Sequence, residues 1–358
     1  MTNARRVLLL LAACTLAACA QAAGSGPASP PSPGGASSGA AGSAGEPGDR
    51  ETTATSAPGG QPLKPIVIAN PTANTNLIPV RLAITQGFFR EEGLDAQMVQ
   101  VGSSTFAPAM LSGEIDYSTL FGATVRLAAS GAPVKVVLVF SNKPLFYLMA
   151  QPSIGRVQDL RGQPVAVGPR GGSLEHVARD IFSHYGLDPD ADLVTRPFSD
   201  ISGTVPALAS GQVQGAVIPL PFNLAAETQG MRQLVDAADI FRAASGGITT
   251  TDQRLHERPD EVRAVLRAAL RGMAFTRANR AAAIAEIVDW AGIEPAMGDA
   301  AYDATVKTFT ADGLATDAEI QPEIDNAKAQ MGTPDANTPV AQVVDFSLLR
   351  GVLTEPQR

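Results

Sequence analysis

Gly168-Pro169-Arg170-Gly171-Gly172-Ser173 lies between a short apolar run at 164–167 and a helical pattern over 174–185. A glycine-rich passage from strand to helix presents free backbone N–H groups and the positive end of a helix dipole. That environment suits a carboxylate, a sulfonate or a nitrate. Gly171 and Gly172 permit close approach, while Ser173 caps its helix, contacts a ligand, or does both. No Gly-Lys-Ser/Thr follows, so the loop is not a nucleotide cradle. Gly102-Ser103-Ser104-Thr105, before a helix expected at 106, is a counterpart, with Ser103 and Ser104 as its polar groups. Phe121-Gly122-Ala123 and Ser141-Asn142-Lys143 each close a strand-like run. Phe121 is either a floor for a ligand or a core residue. Lys143 and Arg170 either pair with an anion or stay solvated. Covalent and metal chemistry have little material. There is no His-Glu-x-x-His or Gly-x-Ser-x-Gly, and His176, His184 and His256 form no ligand-spaced cluster. The expectation is a binding protein with no catalytic residue, no metal and no cofactor.

The elements that must hold these loops come from a chain of 358 residues, 45% apolar and 17% charged, with a formal net charge of −8. That length suggests about two domains. With 27 Lys and Arg against 35 Asp and Glu and no basic block, the footprint of a nucleic-acid binder is missing. Residues 1–18 read as an export signal: Arg5 and Arg6, an apolar stretch too short to span a bilayer, then Leu16-Ala17-Ala18-Cys19. The last four resemble the lipobox of bacterial lipoproteins, in which the Cys carries a diacylglycerol. Leu11-Ala12-Ala13-Cys14 has the same letters, and Cys19 is preferred because cleavage at Cys14 leaves an apolar core of only about 7 residues. From Ala20 to Pro62 there is no Val, Ile, Leu, Met, Phe, Tyr or Trp. Such a segment cannot offset its chain entropy, so 19–63 is expected to be a disordered tether, with a root-mean-square span of roughly 35–40 Å.

Folding patterns begin at 64. Short apolar runs at 65–69, 95–101, 116–121 and 134–140 alternate with helical patterns at 78–89, 106–111 and 123–129, which predicts an α/β layered fold. Phe88-Phe89-Arg90-Glu91-Glu92-Gly93-Leu94-Asp95 is echoed by Ile181-Phe182-Ser183-His184-Tyr185-Gly186-Leu187-Asp188. Residues 107–116 are echoed by 205–214, each with Pro early in a helix and Gly at its end. Two echoes in one order imply a duplicated unit, hence two similar lobes, with a ligand outside the carboxyl ends of their strands. A further strand is expected at 243–251, then helices to the end, one of them at 340–353. The row Arg263, Arg267, Arg271 reads as a solvated helix face.

Gln86-Gly87-Phe88-Phe89-Arg90-Glu91-Glu92-Gly93-Leu94-Asp95, with the runs Gly131–Val137 and Val157–Gly168, resembles the importer substrate-binding proteins for nitrate, sulfonates, taurine and thiamine precursors. The resemblance covers 66–352 and implies a type 2 periplasmic-binding-protein fold: two lobes of mostly parallel sheet flanked by helices, with a helical C-terminal region. Lobe 1 is then 64–150 with 246–353 and lobe 2 is 151–245, joined by crossing strands near 147–153 and 245–251. By the same resemblance, Asn74, Thr75 and Asn76 contact the ligand. Where the family often carries Trp-Glu-Pro, this chain has Pro219-Leu220-Pro221-Phe222, which puts apolar groups at a ligand-adjacent turn around Pro221. The implied protein is a lipid-anchored, extracytoplasmic monomer. It captures a small, anionic solute by hinge closure and passes it to an ABC permease and its ATPase, with no nucleic acid and no membrane contact beyond the lipid. A bilobed sensing lipoprotein is the alternative.

Overall fold

Ile66 and Ile68 place one buried face of β1 (Lys64–Asn70), with Ala69 buried on the other, and the strand pairs along its whole length in parallel with β2 (Leu94–Gln100). This computed structural model describes residues 62–71, 73–168, 173–198 and 201–355, with the backbone alone at Ser103, Ser104 and Ser173. The expected signal and all but the last two residues of the expected tether, Cys14 and Cys19 included, lie outside the described residues, as do Arg170, Gly171 and Gly172. From β1 the chain passes a 3-10 turn (Thr75–Leu77), α1 (Ile78–Thr85), α2 (Phe88–Glu91), β2, α3 (Ser103–Ser112), β3 (Tyr117–Ser118), α4 (Phe121–Ala129) and β4 (Val134–Ser141). It continues through β5 (Phe146–Ala150), β6 (Pro164–Val167), α5 (Ser173–His184), β7 (Val194–Pro197), α6 (Thr204–Ala209), β8 (Gly215–Pro219), α7 (Phe222–Thr228), β9 (Arg232–Asp236) and α8 (Ala237–Ile240). The last part is β10 (Ser245–Thr251) followed by α9 (Asp252–Glu257), α10 (Pro259–Ala278), α11 (Arg280–Ala291), α12 (Gly298–Val306), α13 (Asp317–Gln330), α14 (Val340–Val343) and α15 (Ser347–Thr354).

Two five-stranded sheets result, ordered β2-β1-β3-β10-β4 and β7-β6-β8-β5-β9. They match position by position, and the fourth strand of each, β10 or β5, is antiparallel to both neighbours. The glycines of the repeated motif also match. Gly93, Gly113, Gly186 and Gly211 all have φ between +77° and +82°, the left-handed turn that lets a helix stop and a strand start. The duplication visible in the sequence is therefore a duplicated sheet, built as the α/β expectation requires.

Several local expectations change. The helix expected over 78–89 breaks into α1 and α2 at Gly87, whose φ is +79°. The early proline of the first echo, Pro108, lies six residues into α3, which already starts at Ser103. The helix expected over 340–353 is two short helices, because Val344 is extended and bridges Val136. β5, expected at the end of the first lobe, pairs on both sides inside the second sheet. The chain thus changes sheets at 142–145 and returns at 241–244. These two passages bond to each other: the Ala243 N–H donates to the Asn142 carbonyl at 3.0 Å.

The Arg row of α10 is not a free solvated face. Arg267 pairs with Glu92 and Glu355, and Arg271 pairs with Glu91 while stacking 4.3 Å over the Phe88 ring. Phe88 also meets Phe275 edge-on at 5.8 Å. The Phe-Phe-Arg-Glu-Glu run therefore clamps α2 onto α10, and its role is structural. At the amino ends of the first sheet, buried Glu261 accepts from Tyr117 Oη at 2.9 Å and pairs with Lys64 and Arg254, and Arg254 also pairs with Asp116. Burial raises the Glu261 carboxyl, but hydrogen bonds from Lys64, Arg254 and Tyr117 outweigh it and leave the group below its usual range.

Candidate ligand-binding site

Every candidate site residue follows the carboxyl end of a strand. Asn74–Asn76 follow β1, Ser103 and Ser104 follow β2, Phe121 and Gly122 follow β3, and Asn142 and Lys143 follow β4. Ser173 opens α5 after β6, and Pro221 precedes α7 after β8. One apolar cluster contains Ile78 and Leu82 of α1, Leu145 of the crossing, and Ile218, Leu220 and Leu224 of the second sheet's end. Residues next to the carboxyl ends of both sheets thus share one interior.

The candidates divide by what they already do. Asn74 Oδ1 accepts from the Asn76 N–H at 3.1 Å and caps the 3-10 turn, and Thr75 is buried. Asn76 Oδ1 is buried with no hydrogen-bond partner among the described residues. Phe121 is 6% exposed and belongs to the core. It packs where a Cβ on Gly247 would come within 3.3 Å of its ring, so the core reading of Phe121 is the one the packing follows. Asn142 is occupied structurally: its N–H donates to the Thr308 carbonyl at 3.1 Å and its Nδ2 to Glu319 Oε1 at 2.8 Å. It braces the crossing against the C-terminal helices. Lys143 and Pro221 are half-buried at the rim of the loops. The side chains of Ser103, Ser104 and Ser173 lie outside the described residues, as do Arg170, Gly171 and Gly172 entirely.

Two polar residues that sequence reasoning missed stand out in the second lobe. Thr204 starts α6 and Asn223 stands second in α7; each is 2% exposed. Thr204 Oγ1 and Asn223 Oδ1 have no hydrogen-bond partner among the described residues. Leaving such an atom unpaired costs about 1–3 kcal/mol. The matched sheets make Asn223 the equivalent of Gly122, each being second in the helix after the third strand. Applied past the quoted motifs, the repeat flags this position. His176, in the first turns of α5, likewise has an unpartnered Nε2, whereas His184 is packed edge-on against Tyr185 and Phe241. Among the described residues no group of His, Cys, Asp and Glu is arranged to hold a metal, and no helix is long and apolar enough to cross a membrane.

The profile of the family described as NMT1/THI5 like matches residues 74–283, more than half of the chain. The chain belongs to the NMT1/THI5-like family. The matched stretch runs from the β1 loop into α11 and so contains each candidate loop of both lobes. A relative, the riboflavin-binding protein RibY of Chloroflexus aurantiacus, is 27% identical over 242 residues, 63% of this chain and 67% of that protein. The periplasmic aliphatic sulphonate binding protein SsuA of Escherichia coli is similar in structure. Its TM-score is 0.67 at 18% identity, over 80% of this chain and 99% of that one. The desulfurization enzyme DSZB has a TM-score of 0.60 at 16% identity, over 81% and 99%. The fold is therefore that of periplasmic binding proteins, two α/β lobes with a helical C-terminal region. Binding proteins and an enzyme both use it, so chemistry must be argued from the cleft.

Proposed function

We propose that this NMT1/THI5-like protein is an extracytoplasmic solute-binding protein that closes its two lobes on a small molecule and presents it to an ABC importer. The observation that carries the reading is the set of buried, unpartnered polar atoms on Asn76, Thr204 and Asn223, in the turns and helix starts that follow strands β1, β7 and β8. A catalytic site would need a nucleophile or an acid–base pair. A capture site needs hydrogen-bond partners distributed over two lobes, as these are. A solute that meets both sets at once gains affinity only in the closed form, and it shifts the population by that difference alone.

The finer parts of the reading rest on the sequence. Residue Cys19 carries the lipid, and 20–62 tethers the folded part to the membrane surface. The solute is small and carries an anionic or acceptor-rich group that the start of α5 receives, helped by Arg170 and the Gly171-Gly172 pair. Pro221 and Phe222 add an apolar wall, which favours a solute with an apolar portion. RibY and SsuA bind riboflavin and sulphonates by name, and these two chemistries define the first probes. The test is to purify the protein from a host that makes it, extract it under denaturing conditions and identify the retained small molecule by mass spectrometry. Calorimetry then follows on the refolded protein. One solute in 1:1 ratio supports the reading. Absence of any retained or rebinding solute across both probe classes contradicts it.

A further inference from the structure

Glu323 of α13 lies beyond the residues matched by the family profile, in the part of the chain that folds back on the first lobe. Its Oε2 would be 3.7 Å from a Cβ built on Gly122, the second residue of α4 and the one that follows the end of β3. Glycine at 122 thus leaves a recess that the carboxyl fills. The first turn of α4 has no side-chain cap, and the Glu323 carboxyl has no hydrogen bond or ion pair among the described residues. Its neighbours on α13 differ. Glu319 accepts from Asn142 Nδ2 at 2.8 Å and from the Thr316 N–H at 2.9 Å, and Asp325 accepts from Gln321 Nε2 at 3.0 Å. The nearest cation, Arg126, lies one turn down α4 and donates to Gln330 Oε1 at 3.0 Å.

Glu323 is half-buried, and a carboxyl set between α4 and α13 without a protein partner adds little to packing, because partial burial disfavours its charged form while its oxygens stay open to an incoming donor. Burial pushes it up to about 7, with Arg126 pulling only weakly the other way. We propose that Glu323 is a specificity-determining residue of this cleft, whose carboxyl takes an N–H or ammonium donor of the solute beside the first turn of α4. The inference rests on the solute-binding reading and narrows it. The wall at Gly122 is an acceptor, so a bare anion is repelled there, and the solute carries a donor on the side away from its acidic group.

The other charged groups around Glu323 are few. On α4 there is Arg126; along α13 there are Asp317, Glu319, Asp325 and Lys328, the last held by Asp325 at 3.3 Å. Helix α14, which also packs here, has no titratable residue, and Lys135 of β4 is held by the Ala341 and Gln342 carbonyls at 3.1 and 2.6 Å. The part of a binding pH profile near neutrality that E323Q removes, in a donor-bearing, non-titrating solute, therefore reports Glu323, as distinct from His176 at the start of α5.

The experiment uses the full-length chain, E323Q and E323A, with calorimetry from pH 5.5 to 8.5. The probes are taurine (sulfonate plus ammonium), propane-1-sulfonate (the same anion without a donor) and riboflavin (neutral, with an imide N–H). The expected result is binding of taurine or riboflavin and at least tenfold weaker binding of propane-1-sulfonate. Affinity of the donor probe drops about tenfold from pH 8 to pH 6, since one pH unit below its midpoint a carboxyl is about nine-tenths protonated. E323Q and E323A weaken the donor probe about tenfold and flatten that profile. If propane-1-sulfonate binds as tightly as taurine, or E323Q keeps both affinity and profile, the proposal is overturned while solute binding stands. A second measurement needs no solute: carbodiimide coupling of glycine ethyl ester to the ligand-free protein, read by peptide mass spectrometry. Glu323 is expected to label at pH 6–7. If no probe binds, this arm decides, and an unlabelled Glu323 in folded protein overturns the proposal.

Discussion

Asn223→Leu should make the ligand-free protein more stable while weakening its hold on the solute. Asn223 is 2% exposed, its Oδ1 lacks a partner among the described residues, and Leu220 and Leu224 flank it in one apolar cluster. An unmet buried acceptor costs about 1–3 kcal/mol, and leucine, branched at the same carbon though bulkier, replaces it with apolar contact. A net gain of about 1–2 kcal/mol follows, or a rise in Tm of roughly 2–8 °C for a domain of this size. The solute loses one hydrogen bond and leaves its own group unmet, near 1.4 kcal/mol, or about tenfold in Kd. Differential scanning calorimetry on the ligand-free protein and titration with the identified solute read the two terms separately. Opposite signs are the mark of a binding group, in line with the usual stability–function trade-off. A variant that melts earlier and binds as before would show that Asn223 is a packing residue and would remove the premise about unpartnered atoms.

Three further expectations are simpler. Glu261→Ala, which leaves Arg254 and Tyr117 without their buried partner, should cost about 3 kcal/mol and lower Tm by roughly 6–12 °C, with the solute's Kd unchanged because the network lies at the strands' amino ends. The Glu261 carboxyl is held below its usual range, so its contribution is complete above a pH of about 4.3 and fades as pH falls through the folded value; acid melting curves of wild type and variant should converge there. Arg170→Ala should weaken an anionic solute severalfold in calorimetry, and an unchanged Kd would remove charge pairing from the account. Cys19→Ser should shift the protein from the membrane to the soluble fraction; retention of the variant on membranes would contradict lipid attachment at that residue.

The two-sheet architecture was legible because the repeat is carried by glycines whose left-handed geometry no other residue adopts so readily, as at Gly93 and Gly186. The loops at the strand ends were legible for the same reason. What the loops do was less so. Asn142 reads as a polar residue at a strand end, yet its bonds to Thr308 and Glu319 come from 166 or more residues downstream, a distance no local pattern reports. Arg267 and Arg271 look solvated until α2 arrives against them with Glu92 and Glu91. Thr204 and Asn223 look like ordinary polar residues at helix starts, and only burial without a partner separates them from caps. Glu323 is hidden most completely, being one acid among several on α13, and its meaning depends on the recess that Gly122 leaves.

The central claim, that two lobes close on a solute, is tested most directly by small-angle scattering of the purified protein with and without its identified solute at saturating concentration. The account predicts a smaller radius of gyration when the solute is bound, with the change lost in Asn223→Leu at the same concentration if that variant is left unsaturated. An unchanged scattering curve with the solute shown to be bound by calorimetry would contradict closure.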